Sequence, residues 1–154
     1  MRTKLILFLL CSLAMTAHAQ ETNSKSLDIG DPAPAIKVRK WLKGTPVTAF
    51  EKGRVYVVEF WATWCAPCIA GMPHLSGLAR SYKDKVTVSG ISILERKATT
   101  PARVDAFVDS MGNRMDYNVA ADDSHYMATN WFRASGEKGI HCPLSLIKWG
   151  GLPG

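Results

Sequence analysis

Two cysteines separated by two residues carry the clearest chemistry in this sequence. Cys65 and Cys68 flank Ala-Pro, at the point where an apolar stretch gives way to a pattern of helical period. The first turn of a helix offers unpaired N–H groups and the positive end of the helix dipole, which together favour a thiolate. Cys65 is therefore predicted to be the nucleophile, and Cys68, one turn later and less exposed, to resolve the mixed disulfide. Pro67 removes a backbone donor near the sulfurs and is expected to influence their redox equilibrium.

Glu59 is a carboxylate in an otherwise apolar stretch, six residues before Cys65. Burial of its charge would be costly, so its pKa should be raised. A buried carboxylate beneath the cysteines could accept the proton of Cys68 when that thiol becomes a nucleophile. The alternative is a carboxylate that faces solvent from an edge strand.

An alternation of strand and helix patterns surrounds these residues. Residues 55–61 are β-branched and aromatic, which is typical of a central strand covered on both faces. From Ala66 onward apolar residues recur at helical spacing, and Pro73 is expected to kink this helix without ending it. Two short strands are predicted at residues 37–42 and 46–50. The remaining predicted elements are a strand at 86–94, a helix that begins at Thr100-Pro101 and ends at Gly112, a strand at 117–121, and a helix capped by Asp123-Ser124 that ends near Gly136. This order predicts an α/β fold in which crossover helices join parallel strands.

The segment Glu-Phe-Trp-Ala-Thr-Trp-Cys-Ala-Pro-Cys at residues 59–68 resembles the active-site block of the thioredoxin superfamily. Three further features resemble the redoxin branch of this superfamily. They are the entry segment at residues 30–34, an N-terminus of signal-peptide type, and an extra strand and helix after the motif. That branch includes envelope thiol–disulfide oxidoreductases of the TlpA/ResA type and is related to the AhpC/TSA peroxiredoxins. The resemblance covers residues 28–140 and implies a thioredoxin-like fold with a central mixed sheet flanked by helices.

The resemblance also implies roles for individual residues. Cys65 would be the nucleophile, Cys68 the resolving cysteine of the redox disulfide, and Glu59 would hold the buried-acid position. Trp64 and Pro67 would contact the substrate. The implied partners are protein thiols or disulfides and an upstream redox partner, with no organic cofactor, no metal and no nucleic acid, and the protein is expected to be a monomer.

Other functions remain open for the cysteine pair. A zinc site would need His141 and Cys142 as further ligands, and a Cys-Ala-Pro-Cys disulfide could be purely structural. A thiol peroxidase is the main competitor. Peroxidatic cysteines of the peroxiredoxin type follow Pro-x-x-x-Thr-x-x-Cys, whereas Thr63 precedes Cys65 by two residues and the upstream proline is missing. Exchange is therefore the favoured reaction, and its direction depends on the partner.

The N-terminus is predicted to be a secretory signal peptide at residues 1–19. Arg2 and Lys4 precede a short apolar run, and Ala-His-Ala at 17–19 forms a small-x-small cleavage pattern. The alternative is an uncleaved membrane anchor. Export would place the protein in the periplasm or cell envelope, with residues 20–27 as a flexible tether.

Composition and charge limit the class of protein. The chain has 154 residues, which suits one globular domain. Its composition, with 47% apolar and 21% charged residues, excludes collagen-like and disordered proteins. The net charge of +6 is spread along the chain, and signal cleavage would lower it by two. Isolated pairs such as Arg96-Lys97 do not form a nucleic-acid-binding surface.

Residues 141–154 do not continue the pattern of the redoxin family and are predicted to be an aberrant tail. The final hairpin and helix are missing from the pattern, so a neighbouring strand would be left as an open edge. A one-base slip after Ile140 is one hypothesis, because permissible codons can then spell a proline, a strand, a turn and a second strand. A non-catalytic fragment is a further possibility. Pro143 could take the role of the family's cis-proline facing the cysteines.

Overall fold

The computed structural model describes residues 26–122 and 124–140, and the backbone of 146–150. The predicted signal peptide and most of the tether therefore lie outside the described residues. So do His141, Cys142 and Pro143, as well as Asp123, one of the two predicted cap residues. None of the described helices is long and apolar enough to cross a membrane.

The described residues form a five-stranded mixed sheet with helices on both faces. In chain order the elements are β1 (Lys40–Lys43), β2 (Val55–Trp61), α1 (Ala66–Ser81), β3 (Val86–Ser92), α2 (Pro101–Met111), a 3₁₀ turn (Gly112–Met115), β4 (Asn118–Ala121), a π-helix (Ala128–Arg133) and β5 (Leu146–Gly150). The sheet order is β1-β4-β3-β2-β5. β2 pairs in parallel with β3, and β3 with β4, whereas β1 and β5 are antiparallel edge strands. The predicted α/β class, mixed sheet and thioredoxin-like architecture are confirmed.

Helices α1 and α2 cover one face of the sheet. Each connects a parallel strand to the next in the same direction, and right-handed crossovers place both helices on the same side. The indole of Trp61 in β2 packs against Phe107 of α2 at 5.5 Å between ring centroids. Because side chains alternate along a strand, Phe60 points to the opposite face, where its ring meets Phe132 of the π-helix at 5.6 Å.

Helix boundaries follow the predicted signals in two cases. The Oγ1 of Thr100 accepts the Arg103 N–H at the start of α2, and Gly112 ends that helix with a φ of 52°. Helix α1 continues through Pro73, as the uninterrupted apolar period indicates.

Two predicted elements differ from the structure. Residues 46–50 form no strand. The last helix is a π-helix whose approach is organised by Asp122: its buried carboxylate accepts the N–H groups of Met127 and Ala128 at 2.7 and 3.2 Å. The carboxylate also accepts the Ser124 hydroxyl at 2.7 Å, and the Ser124 oxygen itself accepts the Tyr126 N–H at 3.4 Å, in agreement with its predicted cap role.

The expectation of an open strand edge beside the tail is wrong, whereas the aberrant origin of residues 141–154 stays a prediction. Residues 146–150 pair antiparallel with β2 over five positions, from Val55–Gly150 to Glu59–Leu146. The exposed edge of β2 carries backbone donors and acceptors that need partners, and this segment supplies them. β2 is therefore an interior strand.

Candidate redox site

Cys65 and Cys68 form a disulfide at the start of α1, with their Cα atoms 5.3 Å apart. Cys65 is the N-cap residue, its carbonyl oxygen accepts the Ile69 N–H at 3.1 Å, and its own N–H donates to the Ala62 carbonyl at 3.0 Å. The nucleophilic position at the mouth of the helix thus follows from where β2 ends and α1 begins. In this oxidised state both cysteines are buried, with 2% of Cys65 and 4% of Cys68 exposed, so the expected difference in exposure is absent.

Cys68 belongs to the inner face of α1. The buried residues of this helix are Cys68, Met72, Leu75 and Ser76, which recur at helical spacing and face the sheet. The Ser76 hydroxyl contacts the Arg114 carbonyl at 2.9 Å and accepts the Asp116 N–H at 2.8 Å. These bonds fix the inner face of the helix against the segment that leads into β4.

Glu59 is a residue of the interior strand β2 and lies under helix α1. It is two residues before Trp61 and therefore shares the face of β2 that α1 and α2 cover. Only 8% of Glu59 is exposed, and β2 is flanked by β3 and β5, which rules out the solvent-facing edge position. Burial raises the pKa of Glu59 to about 7, although a hydrogen bond from the Tyr117 hydroxyl at 3.3 Å acts in the opposite direction. Burial and the adjacent Glu59 charge likewise raise the pKa of Tyr117.

Gly90 of β3, the register partner of Glu59, leaves space for this polar group. A Cβ at Gly90 would lie 2.8 Å from Tyr117 Cε2 and 3.2 Å from both Glu59 Oε2 and Trp61 Nε1. The indole nitrogen of Trp61 is buried and has no hydrogen-bond partner among the described residues. A carboxylate and an indole N–H therefore converge on the same small space.

The surface beside the disulfide is formed by exposed residues of the motif. Trp64 is 38% exposed, and its indole N–H donates to the Leu94 carbonyl at 3.1 Å. The Arg96 guanidinium lies 5.8 Å from the Trp64 ring centroid. Pro67 is also exposed, within the first two positions of α1. The structure thus brings Cys65, Cys68, Trp64 and Pro67 together, whereas Pro143 lies outside the described residues.

Glu95 is the residue that the sequence interpretation missed. Its carboxylate accepts the Thr63 N–H at 2.8 Å and the Thr63 hydroxyl at 2.7 Å. The signal was present: Glu95 directly follows a predicted strand parallel to residues 55–61, and the carboxyl ends of parallel strands meet at one edge of a sheet. Within the described ranges no group of three or more His, Cys, Asp or Glu residues could hold a metal ion.

The fold and this site define a thioredoxin-like protein. A solved structure, the thioredoxin domain of a thiol-disulfide oxidoreductase from Bacteroides vulgatus, superposes with a TM-score of 0.59 at 23% identity. That similarity covers 82% of this chain and 84% of the solved chain. Residues 29–147 match the AhpC/TSA family, and the chain belongs to that family.

Two curated relatives are similar over most of this chain. Protein FixW from Rhizobium leguminosarum is 35% identical over 131 residues, which cover 80% of this chain and 57% of the relative. The thiol:disulfide interchange protein HelX from Rhodobacter capsulatus is 30% identical over 104 residues, or 66% of this chain and 54% of the relative. The chain thus spans little more than half the length of these two relatives.

Proposed function

We propose that this protein is a thiol–disulfide oxidoreductase that exchanges disulfides with protein substrates through Cys65 and Cys68. The observation that carries the proposal is the disulfide between these residues at the mouth of α1. The helix dipole and the free N–H groups of its first turn favour a thiolate at Cys65 over one at an ordinary surface position. The names of the relatives, a thiol:disulfide interchange protein among them, support the same reaction.

In the reducing direction the reaction has two exchanges. The Cys65 thiolate attacks one sulfur of a substrate disulfide, so that a mixed disulfide forms and the other substrate sulfur leaves as a thiolate that takes up a proton. Cys68 then loses its proton and attacks the Cys65 sulfur, which closes the Cys65–Cys68 disulfide and releases the second substrate thiol. Two electrons pass to the substrate, and a dithiol partner upstream returns them to the protein.

Glu59 is the proposed acceptor of the Cys68 proton. Cys68 lies on the inner face of α1, and Glu59 lies on the sheet face under that helix. A carboxyl group with a pKa of about 7 exists in both protonation states near neutral pH, which suits general acid–base catalysis.

Substrate contact is proposed for Trp64 and Pro67, because both are exposed next to the disulfide. Pro143 is retained as a third substrate-binding candidate on the basis of the family resemblance alone. We further propose that residues 1–19 direct export to the periplasm or cell envelope, that residues 20–27 form a tether, and that the mature protein acts as a monomer.

The proposal is tested by catalysed reduction of insulin with dithiothreitol. The wild-type protein should accelerate the precipitation of the insulin B chain, whereas Cys65→Ser should abolish catalysis. Cys68→Ser should stop at a mixed disulfide through Cys65 that nonreducing electrophoresis detects. A folded wild-type protein that forms the Cys65–Cys68 disulfide but neither catalyses insulin reduction nor yields a trapped species contradicts the proposal.

Peroxide consumption separates exchange from the competing peroxidase function. Exchange predicts slow consumption of hydrogen peroxide compared with insulin reduction. Rapid consumption that depends on Cys65 and persists in Cys68→Ser would assign the protein as a peroxidase instead.

A further inference from the structure

The loop that follows β3 is joined to the turn before Cys65 by several independent contacts. The Ile93 N–H donates to the Trp61 carbonyl at 2.9 Å, and the Trp64 indole N–H donates to the Leu94 carbonyl at 3.1 Å. Leu94 adopts a φ of 52°, a conformation that a leucine rarely takes. The loop thus packs against the residues that precede Cys65, although this requires an unfavourable backbone conformation at Leu94.

Glu95 makes the strongest of these contacts. One carboxylate oxygen accepts the Thr63 N–H at 2.8 Å and the Ser92 hydroxyl at 2.8 Å, and the other accepts the Thr63 hydroxyl at 2.7 Å. Hydrogen bonds to a carboxylate are shorter and stronger than those between neutral groups. Three such bonds hold the Glu95 carboxylate in one orientation against Thr63, which precedes Cys65 by two residues.

We propose that Glu95 is a positioning residue that fixes the Thr63–Trp64 turn and holds a negative charge beside the turn that leads into Cys65. This charge opposes thiolate formation at Cys65 and so counteracts part of the stabilisation from the helix N-terminus. Because a stabilised thiolate favours the reduced form, Glu95 shifts the equilibrium of the cysteine pair towards the disulfide. The inference rests on the proposed exchange reaction, and it adds a determinant of that reaction's direction.

Other charged groups face the same region and act differently. Arg96 lies over the exposed ring of Trp64, and Glu59 lies beneath the helix in the sheet. Arg96 is exposed and its effect is screened by salt, whereas Glu95 is partly buried and fixed by its three bonds. The charge of Glu59 varies with pH, so a comparison of variants at one pH keeps its effect on the Cys65 thiolate constant.

Two substitutions separate the charge of Glu95 from its hydrogen bonds. Glu95→Gln keeps an oxygen for the Thr63 N–H and a polar group for the Thr63 hydroxyl but removes the charge. Glu95→Asp keeps the charge but is too short to reach both Thr63 groups. Glu51→Gln, an exposed carboxylate before the amino end of β2, is the matched control for net charge.

The measurement is the equilibrium of each purified full-length variant with glutathione, in which the protein dithiol and oxidised glutathione yield the protein disulfide and two reduced glutathiones. For a partly screened charge, Coulomb's law predicts about a fivefold shift of the Glu95→Gln equilibrium towards the dithiol. Alkylation of Cys65 by iodoacetamide at neutral pH should accelerate in the same variant. Glu95→Asp should keep an equilibrium within about twofold of wild type while its melting temperature falls.

An unchanged equilibrium and alkylation rate in Glu95→Gln would overturn the proposal, as would a shift of the same size in Glu51→Gln or Glu95→Asp. Neither measurement uses a protein substrate. Failure of this inference is therefore distinguishable from failure of the proposed function, which would appear as absent insulin reduction in the wild-type protein.

Discussion

Glu59 illustrates how a single buried group connects stability with chemistry. Its charged form loses solvation inside the sheet, and the Tyr117 hydroxyl restores only part of it through one hydrogen bond of 3.3 Å. The sequence was sufficient to predict burial, because a lone carboxylate stood within a β-branched and aromatic strand. Gly90 and Tyr117 could not be predicted as its neighbours, since Gly90 lies in β3, Tyr117 directly precedes β4, and only the sheet register brings them together.

We predict that Glu59→Gln removes a pH dependence of folding. In the folded protein Glu59 has a pKa of about 7 against an ordinary value of 4.5, so the folded state retains a proton that the unfolded state has released. Wild-type stability should therefore be full below pH 4.5 and fall by about 3 kcal/mol as pH rises through 7. Urea unfolding of the oxidised proteins at several pH values measures this difference. Parallel pH profiles for wild type and Glu59→Gln would contradict it, and Glu51→Gln serves as the control.

Tyr117→Phe should raise the pKa of Glu59 above its wild-type value. The Tyr117 hydroxyl donates to the carboxylate and favours its charged form, so its removal leaves desolvation unopposed. A shift of roughly 0.5 to 1 unit is expected from the loss of one hydrogen bond. Titration of the Glu59 carboxyl carbon by NMR measures the shift, with the exposed Tyr82→Phe as control. A lowered or unaltered pKa in Tyr117→Phe would show that the hydrogen bond has no such role.

At the scale of elements, the site depends on where strands end and helices begin. The apolar period and the Thr100-Pro101 and Gly112 signals were enough to predict α1 and α2. The start of the last helix was predicted only in part. Ser124 accepts the Tyr126 N–H as expected, but the role of Asp122 was missed: it directly follows β4, and its buried carboxylate accepts the Met127 and Ala128 N–H groups. Burial of a carboxylate depends on packing, which local spacing does not show.

Asp122→Ala should destabilise the fold substantially. Its carboxylate accepts hydrogen bonds from Met127, Ala128 and Ser124, and removal leaves buried N–H groups without partners. The expected loss is about 2 to 4 kcal/mol in the free energy of unfolding, measured by urea denaturation of the oxidised protein. Asp122→Asn retains one acceptor oxygen and should lose less. Equal stability of the alanine variant and the wild type would show that these hydrogen bonds of Asp122 do not stabilise the fold.

For the whole molecule, the alternation of strands and helices predicted the parallel core of the sheet, and the motif predicted its place at the carboxyl end of β2. The antiparallel β5 was missed because the tail lacked the family's pattern. Pairing with an open strand edge requires little more than a short extended segment, and Ile147 and Trp149 both favour strands.

A chain ending at Ser145 should associate or aggregate more readily than a chain ending at Gly150. The shorter chain lacks the five positions that pair with β2, so the edge of that strand becomes available to other molecules. Light scattering after size-exclusion chromatography at equal concentrations compares the two, and the chain ending at Gly150 is the matched control. Identical monomeric behaviour and equal thermal stability of both chains would contradict a structural role for β5.

Activation of Cys65 by the helix N-terminus is tested by the pH dependence of its alkylation in the reduced wild-type protein, resolved from Cys68 by peptide mass spectrometry. Cys65 should become reactive at least about one pH unit below the value of roughly 8.5 for an unperturbed cysteine. Cys68 should react more slowly and at higher pH. If both cysteines titrate as they do in an unfolded peptide while the protein remains folded, the N-terminus of α1 does not activate Cys65, and the proposed nucleophile is wrong.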